Sequence, residues 1–290
     1  MKHCLKLLVL FIIILPVTVF SQENDYTPVR FEKISDRLYV IFGGGLGANA
    51  GLYIGGNGLL IIDPKMNRRA SDEVFGKIKE LTEKSIIYVL NTHSDPDHIL
   101  GNRHFPETVT IIAHENCRRE FTEPNWDGSP SEWTGPEYTP FFPSITFRDQ
   151  MDIYLGSKKI ELWYFGIGHT SGDAVIYFSE EKTAFIGDQL MMGHRPGAHP
   201  YKGGNTFENI RTLSKMLITL DAEKFVNGHL DRIADRETVL DYIKDIREMQ
   251  DNIRAKIVLG HTLEEIKKEY SDRLQMFVEH VYKEIIEKKY

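Results

Sequence analysis

Four side chains of the kinds that bind metal ions lie within six residues: they are His93, Asp95, Asp97 and His98. The apolar run 86–90 just before them predicts a buried strand, and Pro96 predicts a turn that folds the side chains inward at the end of that strand. Imidazole and carboxylate together suit zinc, iron or manganese. Because the segment has no cysteine, it does not indicate a thiolate-rich structural zinc site.

Three further predicted strands end in a glycine that is followed at once or closely by a possible ligand. Strand 159–165 leads to His169, strand 183–186 leads to Asp188 and strand 224–227 leads to His229. One such strand end would be unremarkable. Four ends of the same kind predict one metal centre at the edge of a sheet.

The order and spacing of these four strand ends resemble the metallo-β-lactamase superfamily, whose signature is His-x-His-x-Asp-His, a strand-end His, an Asp after Gly and a final Gly-His. The resemblance extends from about residue 39 to residue 229. It implies an α/β (α+β) fold, a four-layer αββα sandwich in which helices flank two mixed β-sheets. It also implies ligands: His93 and His169 for a first metal, Asp97, His98 and His229 for a second, and Asp188 as a bridge. Asp63, at the end of strand 59–62, matches the family's early Asp and would brace the metal-binding segment.

Asp95 stands where the family pattern has its second histidine. A carboxylate adds negative charge and a harder oxygen ligand, so the first position should tolerate iron or manganese better than three histidines would. We expect two divalent metal ions, with zinc as the first choice. The alternatives are a single ion held by Asp97, His98 and His229, or a site that has lost catalysis.

The resemblance implies a metal-dependent hydrolase in which a hydroxide bridging the two ions attacks an ester, thioester, lactone or amide-type bond. Asp97 is the expected catalytic residue, orienting the hydroxide and passing a proton to the leaving group. Three alternatives stay open: a β-lactamase, a mononuclear iron dioxygenase of the kind that oxidises persulfides, and a non-catalytic binding module.

Two loops are expected to border the site. Residues 122–144 are rich in proline, glycine and aromatics, which is typical of a substrate-covering loop, although these aromatics could instead cover an apolar edge. The loop after Asp188 is rich in glycine and proline. The candidate substrate-binding residues are Trp126 and Trp133 in the first loop and His194, Arg195, His199 and Tyr201 in the second. The glycine cluster 43–47 lacks the spacing of a nucleotide-binding loop and predicts a flexible loop over the site.

The first 21 residues predict a signal peptide, because Lys2 and Lys6 precede an apolar stretch at 7–20 and Ser21 fits a cleavage position before Gln22. An uncleaved membrane anchor is the alternative, but the stretch is shorter than the roughly 20 residues of a spanning helix. We therefore expect a periplasmic or secreted protein with no membrane association after cleavage. Residues 22–290 are expected to form one domain, with two C-terminal helices from about residue 262.

Composition narrows the partners. The chain has 290 residues, 41% of them hydrophobic, and a formal net charge of -7. It presents no basic excess, which argues against nucleic acid and leaves a small-molecule substrate. The sequence assigns no oligomeric state. Removal of the signal peptide would leave Cys117 as the one cysteine, which we interpret as a packing residue.

Overall fold

Two mixed β-sheets form the centre of the protein in the computed structural model, which describes residues 26–125, 127–191 and 197–287. The first sheet follows the chain order: β1 (Arg30–Lys33), β2 (Leu38–Phe42), β3 (Ala50–Ile54), β4 (Leu59–Ile62), β5 (Ile86–Leu90), β6 (Thr110–His114) and β7 (Ile145–Phe147). Neighbours are antiparallel from β1 to β4 and parallel from β4 to β7.

The second sheet contains β8 (Gln150–Leu155), β9 (Lys158–Trp163), β10 (Val175–Phe178), β11 (Thr183–Gly187), β12 (Lys224–Asn227) and β13 (Ala234–Asp235). Its spatial order is again the chain order, and only β11 and β12 pair in parallel. The carboxyl ends of these two strands therefore lie side by side, which brings the residues after Gly187 close to those after Asn227.

Helices cover the outer faces of both sheets. They are α1 (Arg68–Leu81), α2 (Pro96–Ile99), α3 (Glu115–Glu120), α4 (Thr206–Thr219), α5 (Arg236–Val258), α6 (Leu263–Lys267) and α7 (Gln275–Ile286). The apolar spacing in α4 buries Phe207, Ile210, Leu213 and Leu217 on one face, and the Asn205 side chain caps its first turn. No helix of the described residues has the length and apolar character that crossing a membrane requires.

Three apolar layers hold the sheets and helices together. Leu60 of β4 and Phe185 of β11 belong to the layer between the two sheets. Val74 of α1 packs on the outer face of the first sheet. Leu213 of α4 and Val281 of α7 pack on the outer face of the second. Each fully buried aliphatic side chain of this kind stabilises the fold by about 1.5–3 kcal/mol. The predicted αββα sandwich is confirmed.

Several local details differ from the sequence prediction. The metal-binding segment turns into the single-turn helix α2, with Pro96 at its first position, because the fixed φ of proline suits a helix start. Short 3-10 turns continue it at Leu100–His104 and recur within the predicted covering loop at Glu132–Thr134 and Pro136–Phe141. The predicted signal peptide lies outside the described residues.

Candidate metal centre

The four strand ends meet at one edge of the sandwich. His93, Asp95, His169 and Asp188 each offer a ligand atom, and these four atoms lie within 4.8 Å of one another. Asp97, His98 and His229 form a second group under the same limit. The structure thus brings together all seven residues that the sequence predicted as ligands. We call the two groups the first and second positions.

Asp188 lies between the two positions. Its Oδ2 is 3.0 Å from His229 Nε2 and 3.9 Å from the Nε2 atoms of His93 and His169. Its Oδ1 is 3.3 Å from His98 Nε2. Oδ1 therefore faces the second position, while Oδ2 lies between His229 of the second position and the two histidines of the first, so this carboxylate can reach cations on both sides.

Asp63 holds the metal-binding segment from beneath. Its Oδ1 accepts a hydrogen bond from the Thr92 backbone N–H (2.7 Å), and its Oδ2 contacts Thr92 Oγ1 (2.6 Å) and His98 Nδ1 (2.8 Å). The contact at Nδ1 leaves His98 Nε2 to face the centre. Asp63 has a φ of 45°, a left-handed conformation that side chains rarely adopt. This backbone conformation aims the carboxylate at the metal-binding segment that Asp63 is expected to brace.

A second histidine is oriented in the same way. His169 Nδ1 lies 2.6 Å from the Gly197 carbonyl oxygen, so Nδ1 donates and Nε2 faces the centre. The Asp173 carboxylate accepts from the backbone N–H groups of His169 and Thr170, which fixes the turn that carries the ring. Hydrogen bonds therefore fix both the backbone and the imidazole ring of His169.

Unpaired polar atoms mark the centre as a cation site. His93 Nε2, His98 Nε2 and Asp188 Oδ1 are buried without a hydrogen-bond partner in the part of the chain that the structure describes. Leaving a buried polar atom unpaired costs about 1–3 kcal/mol, which a bound metal ion would offset. A Cβ at Gly228 would collide with Asp188 Oδ1 and the His98 ring, so only glycine allows β12 to end this close. The donor set of imidazoles and carboxylates fits a divalent ion.

The charges in the centre favour anionic carboxylates. Burial would raise the pKa of the Asp188 carboxyl, but the charges and hydrogen bonds of His98 and His229 together outweigh burial and hold that pKa well below its usual range. Burial would also raise the pKa of the Asp95 carboxyl, but nearby histidines, among them His199 and His169, outweigh burial and lower that pKa. Burial would lower the pKa of His169, but its hydrogen bond to Asp95 and the charges of Asp95 and Asp188 together raise that pKa to about 10. A cation that binds His169 must therefore displace a proton.

Asp95 has two partners that the sequence did not indicate. Lys202 Nζ donates to Asp95 Oδ1 (3.0 Å) and to the Ser94 carbonyl oxygen (2.7 Å), and Lys202 is only 7% exposed. His199 Nδ1 lies 2.9 Å from Asp95 Oδ2. His199 was predicted to touch substrate, whereas Lys202 was not singled out, because a lone lysine in a loop carries no local signal.

The structure places the predicted substrate-binding residues in different environments. Trp133 is 4% exposed and packs against Phe121 and Phe142, so its side chain belongs to the core and does not form the predicted wall. Tyr201 is 39% exposed, and its hydroxyl lies 3.3 Å from His199 Nδ1. The remaining three, Trp126, His194 and Arg195, lie outside the described residues.

The glycine cluster borders an open cavity beside the second position. Gly43, Gly45 and Gly47 have positive φ values, and all three line a cavity of about 240 Å³ together with His229. Leu46 at the tip of this loop is 84% exposed. The loop thus flanks the approach to the centre, as the sequence predicted.

Comparisons with known proteins agree with this geometry. A sequence model described as the metallo-beta-lactamase superfamily matches residues 43–261. The chain is 25% identical over 209 residues to the metallo-beta-lactamase type 2 of Elizabethkingia meningoseptica, an alignment that covers 67% of this chain and 74% of that protein. It is 24% identical over 164 residues to the 2,4-dinitroanisole O-demethylase subunit alpha of Nocardioides sp. (strain JS1661), covering 55% of this chain and 45% of that protein.

Solved structures share the fold. A metallo-beta-lactamase from Pontibacter korlensis superposes with a TM-score of 0.62 at 15% identity, covering 76% of this chain and 99% of that one. The metallo-beta-lactamase FIM-1 from Pseudomonas aeruginosa, in its mono-zinc form, superposes with a TM-score of 0.60 at 14% identity, covering 77% of this chain and 96% of that one. With the sequence match over most of its length and a His/Asp centre at the expected strand ends, this chain belongs to the metallo-beta-lactamase superfamily, whose members are hydrolases or related metalloenzymes.

Proposed function

We propose that this protein is a hydrolase that uses two divalent metal ions, zinc by preference, to cleave an ester, thioester, lactone or amide-type bond in a small molecule. The observation that carries the proposal is the convergence of the seven ligand residues around buried Nε2 and Oδ1 atoms that have no hydrogen-bond partner in the described chain. When bound, the ions supply Lewis acidity, which lowers the pKa of a water molecule and polarises the substrate's carbonyl.

The chain's own residues arrange the reactants. Asp188 faces both positions and keeps them at a fixed spacing, and Asp63 keeps His98 turned toward the centre. Asp97 is more open, with a side chain that is 27% exposed and an Oδ2 that lies 3.3 Å from His229 Nε2. We assign to its carboxylate the orientation of the attacking water and the transfer of a proton to the leaving group.

Substrate approaches from the side of the second position. The cavity of about 240 Å³ lies between the glycine loop and His229, and the exposed Leu46 offers an apolar contact at its edge. Tyr201 borders the first position, where burial and the charges of Asp95 and Asp97 raise its hydroxyl pKa. Tyr201 therefore stays protonated and can donate a hydrogen bond to a substrate oxygen.

The test combines metal analysis with turnover. Protein purified without chelator should contain zinc, and it should hydrolyse at least one member of a panel of chromogenic esters, thioesters and lactones. Asp97→Ala should lower turnover by at least about 100-fold, the loss typical of a general acid or base. The matched control is Asp152→Ala, an exposed aspartate on β8. Absence of bound metal, or undiminished turnover by Asp97→Ala, would refute the proposal; one iron per chain instead of zinc would favour the dioxygenase alternative.

A β-lactamase is the second candidate function, because the Elizabethkingia relative that carries this name aligns with 67% of the chain. Asp95 departs from the His pattern of the family, which argues for a different substrate. A chromogenic cephalosporin belongs in the panel, and so does 2,4-dinitroanisole, which the name of the Nocardioides relative supplies. Cleavage of the cephalosporin ahead of every ester and lactone would make the β-lactamase assignment the better one.

We also propose that the protein is exported, on the strength of Lys2, Lys6 and the apolar stretch at 7–20. N-terminal sequencing of protein recovered from outside the cytoplasm should begin at Gln22. Recovery of the full chain in the cytoplasmic fraction would contradict export.

A further inference from the structure

We propose that His199 is a metal ligand, and that it supplies to the first position the imidazole that Asp95 has displaced from the family pattern. The first position would then consist of His93, His169, His199 and one oxygen of Asp95, with Asp188 bridging to the second. The proposal rests on the proposed function, because it requires a metal ion at the first position.

Asp95 Oδ2 is surrounded by three imidazole nitrogens. His169 Nε2 and His199 Nδ1 each lie 2.9 Å away, and His93 Nε2 lies 3.4 Å away. Ligand atoms around a tetrahedral zinc ion, with bonds of about 2.0–2.1 Å, are separated by roughly 3.4 Å. The rings of His169 and His199 are 4.2 Å apart between centroids. Three imidazole nitrogens thus lie within 3.4 Å of the same carboxylate oxygen.

Backbone contacts hold His199 in this place. The His199 N–H donates to the His169 carbonyl oxygen (2.7 Å), and the Asn205 N–H donates to the Gly168 carbonyl oxygen (3.0 Å). A Cβ at Gly204 would overlap that His169 oxygen, so glycine is required for the two segments to touch. His199 is therefore fixed directly against a predicted ligand and is not on a freely moving loop.

Lys202 leaves only one oxygen of Asp95 available. Its ammonium group binds Asp95 Oδ1, so Oδ2 alone can face an ion. The Asp95–Lys202 pair has no net charge, as a neutral imidazole has none. Replacement of the family's histidine by aspartate therefore leaves the charge of the first position unchanged but removes one nitrogen donor, and His199 stands where it can restore that donor.

The exposure of His199 also suits a ligand. Its side chain is 32% exposed, so when Nδ1 binds an ion, Nε2–H can reach water. Tyr201, whose hydroxyl lies 3.3 Å from Nδ1, can shift toward substrate without leaving a fully buried group unpaired. A histidine whose other nitrogen is solvated binds a metal ion without the cost of an orphaned donor.

Zinc affinity tests the proposal without relying on activity. Competition against a chromophoric chelator should show two ions in the unmodified protein, and His199→Ala should weaken one of them by more than about 100-fold, which exceeds the usual effect of a residue that only positions a ligand. The exposed His261 provides the matched control, since His261→Ala should leave both affinities unchanged. Circular dichroism confirms that each variant is folded.

X-ray absorption of the single-zinc form decides between a ligand and a positioning residue. In His229→Ala protein loaded with one equivalent of zinc, imidazole scattering should correspond to three histidines, and to two after His199→Ala is added. Two histidines in both proteins, or an unchanged affinity in His199→Ala, would overturn the proposal while the hydrolase assignment stands. Failure of the unmodified protein to bind zinc would overturn both.

Discussion

The two metal positions differ in how far they are closed to solvent. At the first, the side chains of His93, Asp95 and His169 are 0%, 7% and 2% exposed. At the second, Asp97 and His229 are 27% and 28% exposed, and only His98 is fully buried. Apart from His199, whose side chain is 32% exposed, the first position is therefore closed to solvent, and the second is open to the cavity lined by the glycine loop.

The difference in exposure suits the two positions to different roles, holding an ion at the first and admitting water and substrate at the second. The closed position has a buried lysine beneath it and backbone-anchored histidines around it, so its geometry is fixed before an ion arrives. The open position has room for a water molecule and a substrate oxygen. Under the proposed function, such a division would place the chemistry at the second position and the anchoring of an ion at the first.

We expect the largest effect on metal affinity from a change at Asp188, which faces both positions. Asp188→Asn keeps the shape of the side chain but removes the charge that faces both positions, so affinity for both ions should fall by at least about 10³-fold, beyond the 10–100-fold cost of losing a partner that only touches a ligand. Chelator competition measures both affinities, and Asp152→Asn on β8 is the control. Loss of one ion alone would show that Asp188 does not bridge.

The lysine beneath the closed position comes next. Lys202→Met leaves the buried Asp95 without its cation, and the free energy of unfolding of metal-free protein should fall by about 3 kcal/mol. With zinc bound the loss should be smaller, because the ion then compensates the carboxylate. Chemical denaturation with and without zinc measures the difference. Lys77→Met, at an exposed pair with Glu80, should change stability by less than about 0.5 kcal/mol. An equal loss of unfolding free energy with and without zinc would show that Lys202 does not compensate a charge at the metal position.

Rates of metal release give the smallest of the three effects. The open position should lose its ion to excess chelator at least about tenfold faster than the closed one, because solvent access controls exchange. Release should therefore have two phases, and His229→Ala should remove the fast one. If His229→Ala removed the slow phase instead, the assignment of open and closed positions would be reversed.

The sequence predicted most of the centre because its ligands are locally marked. Asp188 and His229 each follow a glycine at the end of an apolar strand, and His169 follows Gly168 shortly after β9, so the strand pattern places all three at a sheet edge. Asp63 directly follows β4 without an intervening glycine. The two-sheet sandwich was predictable through the family resemblance that these ligands carry, whereas the turns marked by glycine, asparagine and proline indicate only the separate strands.

Contacts between distant segments could not be predicted in this way. Lys202 and Asp95 are 107 residues apart, and no local sequence pattern near either residue indicates that they are in contact. Trp133 was misassigned because the spacing of aromatics in a loop does not reveal whether the loop folds back on the core, as this one does against Phe121. Element ends are also set by local backbone conformation: α1 ends at Leu81, since Thr82 is extended.

The Asp95–Lys202 ion pair also bears on how such a centre could arise by mutation. Starting from histidine at residue 95, a lone change to aspartate would leave metal-free protein with a buried anion that lacks its lysine, and a lone lysine at residue 202 would bury a cation that lacks its carboxylate. Either order passes through a less stable ancestor. Residues 95 and 202 are therefore expected to change together. A related chain that has an acidic residue at position 95 should also carry a cationic side chain that reaches it.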